Sequence, residues 1–329
     1  MNRHPLHSLH HGSHRSDRGL TVIELMVALV IGLVISIVAS AVYLGTRSAS
    51  VATQSVSDQN ETGQLALDLL GREIKKAGFF PAQFGSAAQP LLPGSFVNTK
   101  DPTKPAFDQG VFGCEGAAFD PSGKVCGAAA AGAPDGLVIN YMSAPEFGDD
   151  AAVGNHRDCN RATASSDAAN AAAVAANRPL FVSNRFSLVS TSYTAASGRA
   201  IDTFSLACHG NGDDTAAAAT PHLAGVEDLV LSYGVWGTSN QQTPNRYYTA
   251  TEVGALPVVD GQTPWQRVSS IRVCLVVRTP DAVRLGEGST ARTFTNCRDV
   301  VETLADTDRT LKRRFERVFA ARNNLKAAL

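Results

Sequence analysis

Apolar residues in this chain are concentrated near one end. From Leu25 to Thr46 there are 22 consecutive positions without a charge, and the densest part reads LMVALVIGLVISIVASAVYL. A helix of about 20 residues spans about 30 Å, the thickness of a bilayer core. One run of this kind predicts a single membrane span with the mass of the protein on one side. Beyond Arg47 the pattern turns polar as far as Asn60. A second stripe follows at Leu67, Leu70, Ile74 and Ala77, in steps of three and four that align on one helical face. Asp68, Arg72, Glu73, Lys75 and Lys76 point elsewhere, and Gly78 with Pro81 supplies a stop. The pattern therefore predicts one long helix from about Thr21 to Ala77, its first half embedded in lipid and its second half packed on a globular domain. Gly32, Gly45, Gly63 and Gly71 make it bendable, each at about 1 kcal/mol relative to Ala.

The remainder changes period. Strand-like runs occur at Gly136–Tyr141, Leu180–Phe186, Ile201–Leu206, Val226–Val235 and Val268–Val277. The last alternates well, with Ile271, Val273, Leu275 and Val277 two apart and Arg272 and Arg278 facing out. Residues 82–134 and 148–178 are rich in small and turn-forming residues and read as long loops, although the Ala-rich piece Asp167–Asn177 suits a short helix. Near the C-terminus, Leu311, Phe315, Val318 and Phe319 fit an amphipathic helix, while Phe315, Arg317 and Phe319 fit a strand face. Periodicity alone leaves that segment open. A helix first and strands after predict an α+β fold with an antiparallel sheet. No internal repeat is evident.

Charge separates the two ends of the apolar run. The start, MNRHPLHSLHHGSHRSDRG, holds Arg3, Arg15 and Arg18 against Asp17, together with five of the eight histidines. Basic residues before the span keep this end in the cytoplasm and export the rest. The leader has no apolar periodicity and reads as a polar tail rather than a metal tract. The apolar run continues past Ala39-Ser40-Ala41 to Thr46 instead of ending at a small-residue cleavage site, so it differs from a secretory signal peptide. At 44% hydrophobic and 18% charged residues the chain is too apolar for wholesale disorder. A net charge of −1 argues against a dedicated nucleic-acid binder.

Glu24 is the unusual residue. An acid deep in a membrane helix costs roughly 2.5–3.5 kcal/mol, so such residues have a partner or a role. A cut after Gly19 would expose an α-amino group on Leu20, four residues before Glu24, and amine and carboxylate attract strongly at low dielectric. The string from Gly19 through Glu24 to Gly32 resembles the class III signal of type IV pilins and pseudopilins. That resemblance implies cleavage after Gly19 by a prepilin peptidase, methylation of Leu20, and a docking role for Glu24 in the filament. Leu20, where the family prefers Phe or Met, and the long leader depart from the pattern. Gln64–Phe79, Gly225–Gly234, Trp265–Arg278 and Arg313–Asn323 resemble PilW-like minor pilins, and this favours a strand for the closing segment.

The implied organisation is a cleaved leader at 1–19, a transmembrane and assembly half of the helix at 20–46, its amphipathic half at 47–80, and an exported β-rich domain with long loops at 81–329. Loss of the leader takes the net charge from −1 to about −3, since it carries three Arg and one Asp. The implied function is a minor pilin of a type IV pilus, in a tip or priming complex. It would reside in the inner membrane with its domain periplasmic before assembly, and on the cell-surface pilus afterwards. Implied partners are other minor pilins, the major pilin and the peptidase, with no nucleic acid and no cofactor. A minor pseudopilin of a type II secretion system has the same architecture, and loss of twitching versus loss of secretion separates the two. A signal-anchored periplasmic enzyme or binding protein is the alternative from another class, and it requires neither Glu24 nor cleavage.

Cys114, Cys126, Cys159, Cys208, Cys274 and Cys297 form an even set in an exported domain, which suggests up to three disulfides. Six cysteines admit 15 pairings, and proximity favours 114 with 126, 159 with 208 and 274 with 297. No Cys-x-x-Cys, His-Glu-x-x-His, phosphate-binding loop or Gly-x-Ser-x-Gly is present. His156, His209 and His222 are scattered, and Asn211–Asp214 reads as a solvated turn rather than a calcium loop. The chain is expected to be neither an enzyme nor a metal protein.

Overall fold

The computed structural model describes residues 21–79, 110–120, 125–143, 157–164, 170, 180–195, 198–213, 219–238, 241–283, 293–304 and 309–324. Helix α1 runs from Val22 to Lys76 as one element. It ends where the pattern required, at Gly78, whose φ of 71° lies in the left-handed region that glycine enters without strain. The Gly78 amide donates to the Asn140 carbonyl at 2.9 Å, and Met142 donates to the Phe79 carbonyl at 2.8 Å, so the chain leaves the helix directly onto a sheet. Residues 1–51 and 52–329 form two compact units.

The second unit contains two antiparallel sheets. The strands are β1 (Val111–Cys114), β2 (Phe119–Asp120), β3 (Val125–Cys126), β4 (Gly136–Ser143), β5 (Leu180–Thr194), β6 (Ala200–Gly210), β7 (Thr220–Ala224), β8 (Val226–Thr238), β9 (Gln241–Tyr248), β10 (Val268–Arg278), β11 (Thr293–Thr295), β12 (Val301–Thr303) and β13 (Lys312–Ala320), with a short helix α2 at Ala250–Gly254. One sheet has the order β1-β4-β5-β6-β7 and the other β13-β10-β8-β9, with small ribbons β2-β3 and β11-β12. This is the expected α+β architecture.

All five strand-like runs are strands, and β5 continues eight residues past Phe186, where its side chains become partly exposed. The closing segment is a strand, as the family likeness suggested. Ile271 pairs with Phe319 and Leu275 with Phe315, so Phe315 and Phe319 share the face that Ile271 and Leu275 present to the core. The reading of 82–134 as loop is corrected for its last part, where β1 pairs with β4 and the ribbon β2-β3 forms. Strands β7, β9, β11 and β12 carry no clear signal in the sequence pattern. They are short or carry Pro, Thr and Asn, and pairing at a sheet edge rather than intrinsic preference makes them strands. The Ala-rich piece lies outside the described residues except for Asn170.

The main core joins one face of α1 to both sheets. Leu67, Leu70 and Ile74 meet Leu137, Ile139, Phe186 and Leu206 of the larger sheet and Leu229, Leu231, Ile271, Val273 and Leu275 of the smaller. Each fully buried aliphatic side chain of this kind contributes roughly 1.5–3 kcal/mol. A second cluster of Cys114, Phe119, Val138, Met142 and Phe181 uses alternate residues of β4, so that strand is buried on both faces.

Candidate functional site

The site indicated by the sequence is the start of the long helix. Thr21 caps α1: its hydroxyl accepts from the Glu24 amide at 3.3 Å, and the Glu24 carboxylate accepts from the Thr21 amide at 3.1 Å. This reciprocal arrangement is a capping box, which satisfies two otherwise orphaned backbone donors. The Thr21 hydroxyl also donates to the same carboxylate oxygen, Oε2, at 3.1 Å. Glu24 is exposed and stands in the first turn, where the helix dipole favours an anion. Gly19 and Leu20 lie outside the described residues. The cap signal Thr-x-x-Glu stands in the sequence as residues 21–24, although it is easily passed over beside the charge argument.

Along the following turns the helix presents apolar side chains outward on all sides, including Val22 at 77%, Leu29 at 65% and Val38 at 56% exposure. Two hydroxyls within this stretch are satisfied locally. Ser36 donates to the Gly32 carbonyl and Thr46 to the Val42 carbonyl, both at 2.8 Å, so neither leaves a bare donor in an apolar medium. The helix is long and apolar enough to cross a membrane.

The second half of α1 is fastened to the sheet domain by contacts that sequence reasoning did not find. Gln59 is buried at 3% exposure, and its amide donates to the Val277 carbonyl at 2.7 Å and the Leu311 carbonyl at 3.0 Å, stapling the end of β10 and the approach to β13. Two glycines admit aromatic rings. A Cβ on Gly63 would lie 2.7 Å from the Phe315 ring, and one on Gly71 would collide with Phe319. These residues are therefore close-approach sites rather than points of flexibility. At the rim Arg317 reaches Asp68 at 2.6 Å and Gln64 at 2.8 Å, and Arg313 reaches Asn60 at 2.7 Å. The exposed Arg317–Asp68 pair contributes little, about 0–1 kcal/mol. Glu73 accepts from Asn184 at 2.8 Å and from Lys76 at 2.7 Å, and Asn184 accepts from the Cys159 amide at 3.0 Å.

The structure joins Cys114 to Cys126, Cys159 to Cys208 and Cys274 to Cys297, with Cα separations of 5.4, 6.3 and 5.7 Å. The first pins the ribbon β2-β3 to β1, the second ties the 157–164 loop to β6, and the third ties β10 to the ribbon β11-β12. Asp135 acts as a polar clip. It is 6% exposed and accepts from the Gly116 and Leu231 amides, each at 2.8 Å. Burial pushes its carboxyl above the usual range, and those two hydrogen bonds with Arg298 offset the shift only in part.

Asn211 is buried, with its amide oxygen accepting from the Ser183 amide and its nitrogen donating to the Phe181 carbonyl. It is a core residue rather than part of a solvated turn, and Asp214 and His156 lie outside the described residues. His222 faces Asn160 at 3.0 Å, and His209 is buried at 7% exposure. Among the described residues no three His, Cys, Asp or Glu side chains converge as a metal site.

Comparison with known proteins converges on the two ends of the chain. Residues 14–40 match the family model described as the prokaryotic N-terminal methylation motif. Residues 189–323, from within β5 to beyond β13, match the family described as type IV pilus-assembly protein W. No curated protein sequence matches the chain. Among solved structures, a type IV-like pilin, TTHA1219 from Thermus thermophilus, aligns over 82% of this chain and 98% of its own at 11% identity, with a TM-score of 0.33. Pilins are structural subunits rather than catalysts. A methylation motif at 14–40 and a pilus-assembly region at 189–323 together support a type IV minor pilin of PilW-like kind.

Proposed function

We propose that this minor pilin is made as a prepilin, cut after Gly19, N-methylated on Leu20 and polymerised noncovalently into a type IV pilus, where it serves in a tip or priming complex. The observation that carries the reading is the presence on one chain of a methylation motif at 14–40 and a pilus-assembly region at 189–323. Residues 1–19 are the discarded leader, 20–46 the assembly half of the helix, 47–80 its amphipathic half and 81–329 the exported domain. Before assembly the apolar half holds the protein in the inner membrane with the domain in the periplasm. On assembly that half exchanges lipid for sister helices, so its apolar surface avoids water at both stages.

Glu24 guides docking by offsetting the Leu20 amine of an incoming subunit. The capping box supports this role, because it places both the Thr21 amide and hydroxyl on Oε2, so that among the described residues Oε1 stands open to a further donor. Partners are other minor pilins, the major pilin and the prepilin peptidase. The role involves no catalytic step, no cofactor and no nucleic acid. N-terminal mass spectrometry of the native protein tests the reading: it predicts a chain beginning at N-methyl-Leu20, and a retained histidine-rich leader would overturn it.

A further inference from the structure

The smaller sheet ends at an unpaired edge. Strand β13 pairs with β10 on one side only, in an unbroken antiparallel register from Lys312 to Ala320. Just beyond the two ends of the strand, the Thr279 amide donates to the Leu311 carbonyl at 2.8 Å and the Ala321 amide to the Ser269 carbonyl at 2.9 Å. Bonded pairs recur at every second residue of an antiparallel ladder, so the odd-numbered residues of β13 bond to β10. The amides and carbonyls of Arg314, Glu316, Val318 and Ala320 therefore point away from the sheet, and none of them has a partner among the described residues. Phe315 and Phe319 face α1, so the side chains of these four lie on the opposite face, where Val318 is 49% exposed. A groove of about 310 Å³ lies between β13 and α1, lined by Leu65, Arg72 and Lys75 from the helix and by Arg317 and Phe319 from the strand. Arg317 is committed to Asp68, whereas Arg72 and Lys75 have no ion-pair partner among the described residues. The strand itself sets Lys312, Arg313, Arg314 and Arg317 against Glu316, so the edge and its groove are basic.

We infer that this edge accepts an extended segment of a partner protein as a further strand, and that the segment alternates acidic and apolar residues. Backbone pairing supplies affinity, and alternate side chains supply selectivity, as in strand addition generally. Side chains of the added strand point alternately to the two faces of the sheet. One row turns towards α1 and reaches the groove, where carboxylates meet Arg72 and Lys75. The other row lies beside Val318 and Ala320, where apolar side chains cover the exposed valine. Lysine and arginine on an edge deter indiscriminate pairing. Here they select by sign, because a basic strand would set like charges together in a half-enclosed groove. The surface lies within the second compact unit, so it depends neither on cleavage of the leader nor on the apolar half of the helix.

A synthetic peptide of about eight residues that alternates glutamate and valine spans the free edge and serves as the probe. Its binding to the full-length protein in detergent is followed by fluorescence anisotropy. The expected result is saturable binding that weakens with salt and is absent for the peptide that alternates lysine and valine. Arg72→Glu combined with Lys75→Glu should weaken the glutamate peptide by at least about tenfold and turn the preference towards the lysine peptide. N-methylation of the valines alone, or of the glutamates alone, removes one or the other row of peptide donors. One row faces β13 and the other faces solvent, so one methylated peptide should fail and the other should bind. Bound peptide should also slow hydrogen exchange at the amides of Arg314, Glu316, Val318 and Ala320. Equal binding of the glutamate and lysine peptides, tolerance of both methylated forms, or no binding of the glutamate peptide would overturn the inference. So would protection of those four amides without peptide, which would assign the edge to a second copy or to another segment of the chain.

Discussion

Thr21 and Glu24 hold each other at the start of α1: the threonine hydroxyl accepts from the glutamate amide at 3.3 Å while the carboxylate accepts from the threonine amide at 3.1 Å. Under the proposed function Glu24 has a second duty as a charge, separable from the cap. Gln can fill the capping place, whereas Val can do neither. We predict that Glu24→Gln and Glu24→Val both permit membrane insertion and both reduce incorporation into pili, and that Val alone also frays the first helical turn. Quantifying the protein in sheared pili against membranes checks this. Normal incorporation of the Gln variant would leave the cap as the only role.

The glycines of α1 are not equivalent. Gly71→Ala should destabilise the sheet domain by about 1–3 kcal/mol, the usual range for overpacking, because the new methyl group meets Phe319. A Cβ on Gly45 would meet nothing within 4 Å, so Gly45→Ala should be neutral or gain up to about 1 kcal/mol in helix stability. Gly71→Ala combined with Phe319→Leu should recover part of the loss. Denaturant unfolding of the detergent-solubilised protein measures all three.

The disulfides should differ in weight. The sequence separations are 12 for Cys114–Cys126, 23 for Cys274–Cys297 and 49 for Cys159–Cys208. In the chain-entropy account these correspond to about 3, 3.5 and 4 kcal/mol. Replacing both cysteines of a pair by Ala should lower the unfolding midpoint most for the 159–208 pair, which closes the longest loop.

Asp135 predicts a pH effect with a definite sign. Burial raises its folded pKa above the ordinary 3.8, so the stability it contributes is complete below that value and is lost as pH rises through the higher folded value. Asp135→Asn sets an NH2 group against one of the two backbone amides that the carboxyl oxygens face, so it should be less stable at acid pH. Its deficit should narrow as pH climbs from about 4 to 7, since only the parent incurs the cost of a buried charge. Unfolding free energies of both proteins across that range check the slope, and a deficit that widens would contradict it.

Much of this architecture could be read from residue order because it depends on local repetition. The helix limits followed from an unbroken apolar run, a three-four stripe and the Gly78 stop. The central strands followed from alternation, as in Ile271, Val273 and Leu275. The edge strands could not be read, since a segment such as Thr220–Ala224 is a strand only because Ser205–Cys208 lies beside it. Residues 311–319 fitted two periods equally, and their pairing with β10 decided between them.

The order of residues by itself determined the apolar span, the acid in its first turn and the two element types, because each rests on neighbours within a few positions. Tertiary structure alone decided that Gly63 and Gly71 receive phenyl rings, that Gln59 staples two strands, that Asn211 is core and that Asp135 clips backbone amides. Those partners are far away in sequence, and only folding brings their surfaces within bonding distance.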